Sequence, residues 1–201
     1  MGACCGVPPN VLIVIAHPKP TSFNHSILAV VKRELEAKGC TVQVRDLYAN
    51  QFNPLLSESE LTSIPKGNIP MDVQIEQKWI KWCNVLILIH PIWWSSMPAI
   101  LKGYMDRVFS EGFAYKVEGN KPPAGCLSEK QVLILNTHGQ AKELYESKFY
   151  PAINQTTNPG YELCGMKLIN HHYFAGIPYI PKEKREEILK NIEDIIKGYS
   201  F

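Results

Sequence analysis

Three unbroken apolar runs constrain this chain more than any other feature: "VLIVIA" at 11–16, "VLILI" at 85–89 and "VLIL" at 132–135. A strand with one wet face alternates apolar and polar residues. A strand that is apolar at every position must have both faces in a core, as the central strands of a parallel sheet do. Shorter or more mixed β patterns follow at "CTVQVRDLY" (40–48) and "MKLINHHYFAG" (166–176). With "VLIVIAH" (11–17), "VLILIH" (85–90) and "KQVLILNT" (130–137), they predict five strands.

Helical periodicity fills the gaps. Ile27, Leu28, Val31 and Leu35 fall on one face between Asn24 and Lys38, and Gly39 is a natural stop. A second stripe of Ile100, Leu101, Tyr104, Met105 and Val108 runs from Pro98 to Phe109. The stretch 141–153 is helical in pattern, and 181–198 closes with Ile188, Leu189, Ile192, Ile195 and Ile196 on its core face. Strands joined by helices imply right-handed crossovers and a doubly wound parallel α/β sheet. No repeat or compositional break divides the chain, so one domain is expected over 11–201. Residues 1–10 read as a flexible leader, and about 50–70 as a long polar excursion.

Composition then excludes whole classes. Net charge is +2 with no run of like charges, which argues against a nucleic-acid binder. No apolar run approaches the roughly 20 residues that cross a bilayer, so no stable membrane insertion is expected. Six cysteines lack metal or disulfide spacing, and they point to a reducing, cytoplasmic setting. Gly2, Cys4 and Cys5 resemble a lipidated terminus, but Gly6 stands where that pattern takes Ser or Thr, which favours the plain leader.

Doubly wound sheets bind ligands at the carboxyl ends of their strands. The loop after strand one, "AHPKPTSFNHS" (16–26), has no glycine-rich fingerprint. It does offer His17, Thr21, Ser22 and Asn24 at a helix start, which suits either a phosphate or an ordinary N-cap. After strand three come Pro91, Ile92, Trp93, Trp94 and Ser95. The two tryptophans serve either as the flat wall of an aromatic ligand or as packing against a helix or partner. The loop after strand four holds Asn136, Thr137, His138 and Gly139, with Tyr145 beyond. His138 there is either a charge-stabilising or proton-moving group or a merely exposed loop side chain.

Taken in order, "VLIVIAHPKPTSFNHSI", "RDLYANQFNPLLS" and "HPIWWSSMPAILKGYMDRVFSEGFAY" resemble the NAD(P)H:quinone oxidoreductases, or DT-diaphorases. The resemblance implies a flavodoxin-like fold, with a five-stranded parallel sheet in the order 2-1-3-4-5 and helices on both faces. It implies bound FAD, NAD(P)H as co-substrate, and ping-pong hydride transfer through the flavin N5 to a quinone or another small aromatic acceptor. His17, Thr21, Ser22, Phe23 and Asn24 match the segment that holds the pyrophosphate and adenosine. Pro91, Ile92, Trp93, Trp94 and Ser95 match the loop lining the ring. Asn136, Thr137, His138 and Gly139 match the turn at its pyrimidine end. Tyr145 and His138 are the implied catalytic residues.

The family forms homodimers with the pocket at the interface, and Trp93, Trp94, Phe113 and Tyr115 would serve as interface aromatics. Three departures stand out. His138 replaces a glycine, Tyr145 matches the family tyrosine only with an offset of one residue, and 146–162 contains no histidine. A Tyr–His relay is therefore not expected. The neighbouring readings are an FMN-dependent azoreductase and a flavoprotein regulatory subunit of a membrane transporter. A flavodoxin electron shuttle fits poorly, because its phosphate loop and acidity are missing. His171-His172 are not expected to bind metal, since adjacent strand residues face opposite ways. Cys83 and Cys126 read as inert, and Asp106, Arg107 and Glu111 as a solvated or interface charge cluster.

Overall fold

A computed structural model describes residues 7–200; the leader's Gly2, Cys4 and Cys5 lie outside the described residues. Its main sheet contains β1 (Asn10–Ile15), β2 (Thr41–Asp46), β3 (Val85–Pro91), β6 (Gln131–Thr137) and β7 (Lys167–Phe174). All neighbours are parallel, in the order β2-β1-β3-β6-β7, which is the expected 2-1-3-4-5 arrangement. A short antiparallel pair, β4 (Tyr115–Lys116) and β5 (Ala124–Gly125), stands apart from it.

The apolar runs do what their pattern demands. On one face, Leu12, Val14, Leu86, Leu88, Val132 and Ile134 pack with α3 (Met71–Trp82), α4 (Ala99–Val108) and α5 (Lys142–Leu163). On the other, Val11, Ile13, Ile15, Ile87, Ile89, Leu133 and Leu135 meet α1 (Phe23–Ala37) and α6 (Lys182–Gly198). β1 pairs with both β2 and β3, so the order in which strands are added reverses there and leaves a crevice above their carboxyl ends.

The excursion after β2 is more ordered than its polarity suggests. It holds the capped helix α2 (Glu58–Ser63) and a 3₁₀ turn over Ile64–Lys66, and α3 follows. No helix is expected over 71–82 because its buried face is partly polar: Val73, Glu76, Gln77 and Ile80. Gln77 donates to the Val108 carbonyl at 3.0 Å, and Glu76 is ion-paired with Arg45, so each polar group has its partner inside the fold. α5 also exceeds the expected 141–153, running through Pro151 and Pro159 with Ile153 and Tyr161 as its buried contacts.

Arg107 contradicts the reading of a solvated charge cluster. It is 3% exposed and bonds Glu60 and Asp72, whereas its neighbour Asp106 pairs with Lys102 at the surface. One turn earlier on α4, Gly103 receives the excursion: a Cβ there would lie 2.1 Å from the Pro54 carbonyl oxygen. Gly103→Ala must therefore push the excursion off α4. An overpacking loss of about 1–3 kcal/mol in urea unfolding is expected, and full native stability in this variant would disprove the close approach.

Phe113 is core rather than interface, at 8% exposure beneath Lys81. Cys83 is buried, with its thiol pushed up to about 11 by burial, whereas Cys126 is exposed just after β5, away from the main sheet. No helix of the described residues is long and apolar enough to cross a membrane.

Candidate active site

Two adjoining hollows occupy the crevice. The deeper one, about 150 Å³, has His17, Phe23 and Asn24 on one side, with Thr137, His138 and Gly139 opposite. The outer one, about 320 Å³, is bounded by Trp93, Trp94, Gln140, Tyr145 and Tyr179. Pro91 lines the deeper hollow, and Ile92, Trp93 and Gly139 border both. The three loops expected to form a site thus converge, and a fourth joins them. Ile177, Pro178 and Tyr179 come from the loop after β7, which leaves the sheet by the same edge; that shared edge is the signal that could have located them.

Each loop is held in its own way. Ser22 caps α1, accepting from the His25 amide at 3.3 Å. Asn24, 3% exposed, donates to the Thr137 hydroxyl at 2.9 Å and so ties the first loop to the loop after β6. After β3 the chain makes a two-residue turn closed by paired Trp93 and Ser96 backbone bonds. Trp94 and Ser95 both take left-handed conformations, with φ of 51° and 59°. For residues other than glycine, each position stores on the order of 1 kcal/mol or more of strain. The turn presents Trp94 wholly to solvent. Trp93 leans on His17, with ring centroids 5.9 Å apart.

The loop after β6 differs from the exposed-histidine reading. His138 is 4% exposed and stacks on Tyr145 at 4.1 Å. Its Nε2 meets the Tyr150 hydroxyl at 2.5 Å, so a Tyr–His pair does exist, with the histidine on the loop and the tyrosine on α5. Burial lowers the His138 imidazole, with the nearby Gln140 backbone opposing, and burial pushes the Tyr150 phenol up to about 12. Tyr150 is therefore the donor and neutral His138 the acceptor. The remaining nitrogen, Nδ1, is shut off from solvent without a hydrogen bond.

Four expected contacts lie elsewhere. The Asn136 side chain is 1% exposed and faces inward, donating to His90 and accepting from His171 at 2.6 Å. His171 and His172 do face opposite ways, the latter meeting Tyr199. Thr21, Ser22 and Ser95 border neither hollow.

The donor set suits a planar cofactor that carries phosphate. Flat apolar walls of Ile92, Trp93 and Tyr145 could hold a ring, while the first-turn amides of α1 beside Ser22 and Phe23 could take a diphosphate. A Cβ at Gly139 would stand 3.6 Å from Pro178 and Tyr179. The fold tolerates that contact, but the methyl would take room at the junction of the two hollows. This topology, with its ligand crevice at the switch point, defines the flavodoxin-like class.

Comparison with known proteins agrees. A family described as flavodoxin-like fold matches residues 9–197. An NAD(P)H oxidoreductase of Haemophilus influenzae is 36% identical over 90% of this chain and 91% of its own. The mouse ribosyldihydronicotinamide dehydrogenase [quinone] is 32% identical over 94% and 91%. A solved NAD(P)H:quinone oxidoreductase from Methanothermobacter marburgensis superposes with a TM-score of 0.82 at 28% identity, covering 94% of this chain and 98% of the other. The chain belongs to the flavodoxin-like family that includes these oxidoreductases.

Proposed function

We propose that this protein is a flavin-dependent NAD(P)H:quinone oxidoreductase with FAD as its cofactor. The observation that carries the reading is the pair of joined hollows, aromatic-walled at one end and opening on a helix N-terminus at the other. A bound flavin would supply the hydride-carrying chemistry. The protein's part is to bind, orient and donate protons. Ile92, Trp93 and Gly139 would flank the ring, and Ser22, Phe23 and Asn24 would hold the diphosphate. With one open side, reductant and acceptor would use the same cleft in turn, giving parallel lines in initial-velocity plots. The reductant is a reduced nicotinamide; the names of the relatives give both the NAD(P)H and the ribosyl forms.

Tyr145 lines the outer cleft, so its hydroxyl is the group placed to hand a proton to a quinone oxygen. His138 acts beneath it as a positioning residue, because one nitrogen is engaged by Tyr150 and the other is closed off. Tyr145→Phe keeps the stacked ring and removes only the proton donor. Turnover with quinone should fall by about a hundredfold with cofactor content unaltered; equal turnover would take Tyr145 out of the role. Trp94 and the 83%-exposed Tyr179 stand on the open lip, where a second copy of the chain would complete the pocket in a homodimer.

Purification, a visible spectrum and the mass of the released cofactor test the whole reading. FAD bleached by NADH or NADPH and recoloured by a small quinone is the expected result. Released FMN would move the protein to the azoreductase branch, and a colourless protein that refuses added flavin would overturn the assignment.

A further inference from the structure

Pro91 brings no N–H, so the ladder between β3 and β6 lacks a donor just where the chain enters the turn at Trp93–Ser96. The peptide that follows is nevertheless held from both sides. Its N–H, on Ile92, donates to the Thr137 carbonyl at 2.7 Å, and its C=O, on Pro91, lies 3.0 Å from Nδ1 of the buried His90. Pro91, Ile92 and Thr137 all line the deeper hollow, so this clamped peptide is part of its wall.

Two backbone carbonyls fix the hydrogen positions along the clamp. The Pro91 carbonyl can only accept, so His90 carries hydrogen on Nδ1. Burial, opposed by that bond, pushes the His90 imidazole down to about 4. At neutral pH it therefore has one ring hydrogen, and Nε2 is an acceptor. The Asn136 amide nitrogen lies 3.0 Å from Nε2 and 3.1 Å from the His90 carbonyl, and its two hydrogens serve both. The Asn136 oxygen then faces His171, whose Nε2 donates to it at 2.6 Å. Donors thus run in one direction from β7 through β6 to β3, and the last of them ends on the wall of the hollow.

The turn beyond the clamp is what needs it. Trp94 and Ser95 hold left-handed conformations, which residues other than glycine keep where their surroundings over-determine them. A Pro91–Ile92 peptide free to rotate would let that turn relax and carry Ile92 and Trp93 out of the wall.

We propose that His90, oriented by Asn136, is a positioning residue that fixes the Pro91–Ile92 peptide and with it the wall on which the cofactor ring lies. Neither His90 nor Asn136 borders a hollow, so both act through the backbone that does. The ligand in this proposal rests on the flavin reading above, whereas the clamp can be tested without flavin.

His90→Leu removes the donor to Pro91. His90→Asn restores it, because an Asn amide nitrogen stands the same number of bonds from the backbone as Nδ1. Both variants lose the bond from Asn136 to Nε2, so a general loss of packing would weigh on both alike. In flavin-free protein, the Ile92 amide should exchange with solvent about tenfold faster in His90→Leu than in the native chain, and at the native rate in His90→Asn. FAD should bind about tenfold more weakly to His90→Leu and within about twofold of native to His90→Asn.

Unaltered exchange and affinity in His90→Leu, or equal losses in the two variants, would overturn the proposal. ¹⁵N spectra of the native protein near pH 7 decide the matter even if His90→Leu does not fold. Hydrogen on Nδ1 of His90 is expected, and hydrogen on Nε2 instead would overturn the clamp. Native protein that refuses FAD, yet shows the Nδ1 hydrogen and the expected Ile92 exchange, would sink the flavin reading and leave the clamp standing.

Discussion

Arg107→Met is expected to lower the unfolding free energy by about 3–5 kcal/mol, the range for removing one partner from a buried ion pair. Arg107 donates through Nε and Nη2 to Glu60 at 2.9 and 2.5 Å, and through Nη1 to the Asn53 carbonyl and Asp72, both at 2.6 Å. Its guanidinium also lies 5.2 Å from the centre of the Phe52 ring. Methionine fills much of the volume but satisfies none of these acceptors.

Glu60 suffers most. Burial pushes its carboxyl up, and bonds from the Ser57 amide, Arg107 and the Ser57 hydroxyl more than offset this, holding it below the usual range. Without Arg107 the charge remains in place with part of that support gone. Asp72 reaches solvent and loses less. Equilibrium urea unfolding measures the loss, and Glu60→Gln added to Arg107→Met should recover part of it. A loss below about 1 kcal/mol would show that the cluster is no more than a surface pair.

The second large effect is acid destabilisation beginning near pH 6.5. His90, 3% exposed at the end of β3, is pushed down to about 4 by burial, against the bond to the Pro91 carbonyl. His171 is pushed down to about 3 by burial and then by His90 and His172. Asn136 joins them: its amide donates to His90, and its carbonyl accepts from His171. Both histidines are neutral in the fold, while an unfolded histidine protonates near 6.5.

The native state therefore binds fewer protons than the unfolded state below pH 6.5, and stability falls as pH falls. The loss continues toward about pH 4 for His90 and about pH 3 for His171. At pH 5 each group contributes roughly 2 kcal/mol of loss, about 4 in total. Urea unfolding at pH 7.5 and pH 5 should reveal this before the carboxylates of Glu60 and Asp72 titrate, since both are held low. His171→Gln should shrink the difference by about half. Equal stability at the two pH values would sink the prediction.

The same residues mark what was legible. The central strands could be read directly, because β1, β3 and β6 are apolar at consecutive positions and only a doubly covered strand needs that. The site could be found to within its loops, because a doubly wound sheet leaves one edge open to ligands. Its aromatic wall was visible in the adjacent Trp93 and Trp94. Helix α3 escaped because Glu76 and Gln77 break the apolar stripe of its buried face. Asn136 was placed in the site by its position in the turn, but its side chain faces the opposite way and serves the histidine network.

What the sequence determined by itself was therefore the strands of the main sheet, their parallel stacking and the edge that carries the chemistry, because burial on two faces writes itself into every consecutive residue of the central strands. Which polar groups lie inside was decided only by the tertiary structure. Arg107 is buried because Glu60, 47 positions away, and Asp72, 35 positions away, fold back to neutralise it. His138 is buried because Tyr145 and Tyr150 close over it from the next helix. A charge or an imidazole can leave water only when its partners arrive, and those partners are set by long-range packing, which local pattern does not record.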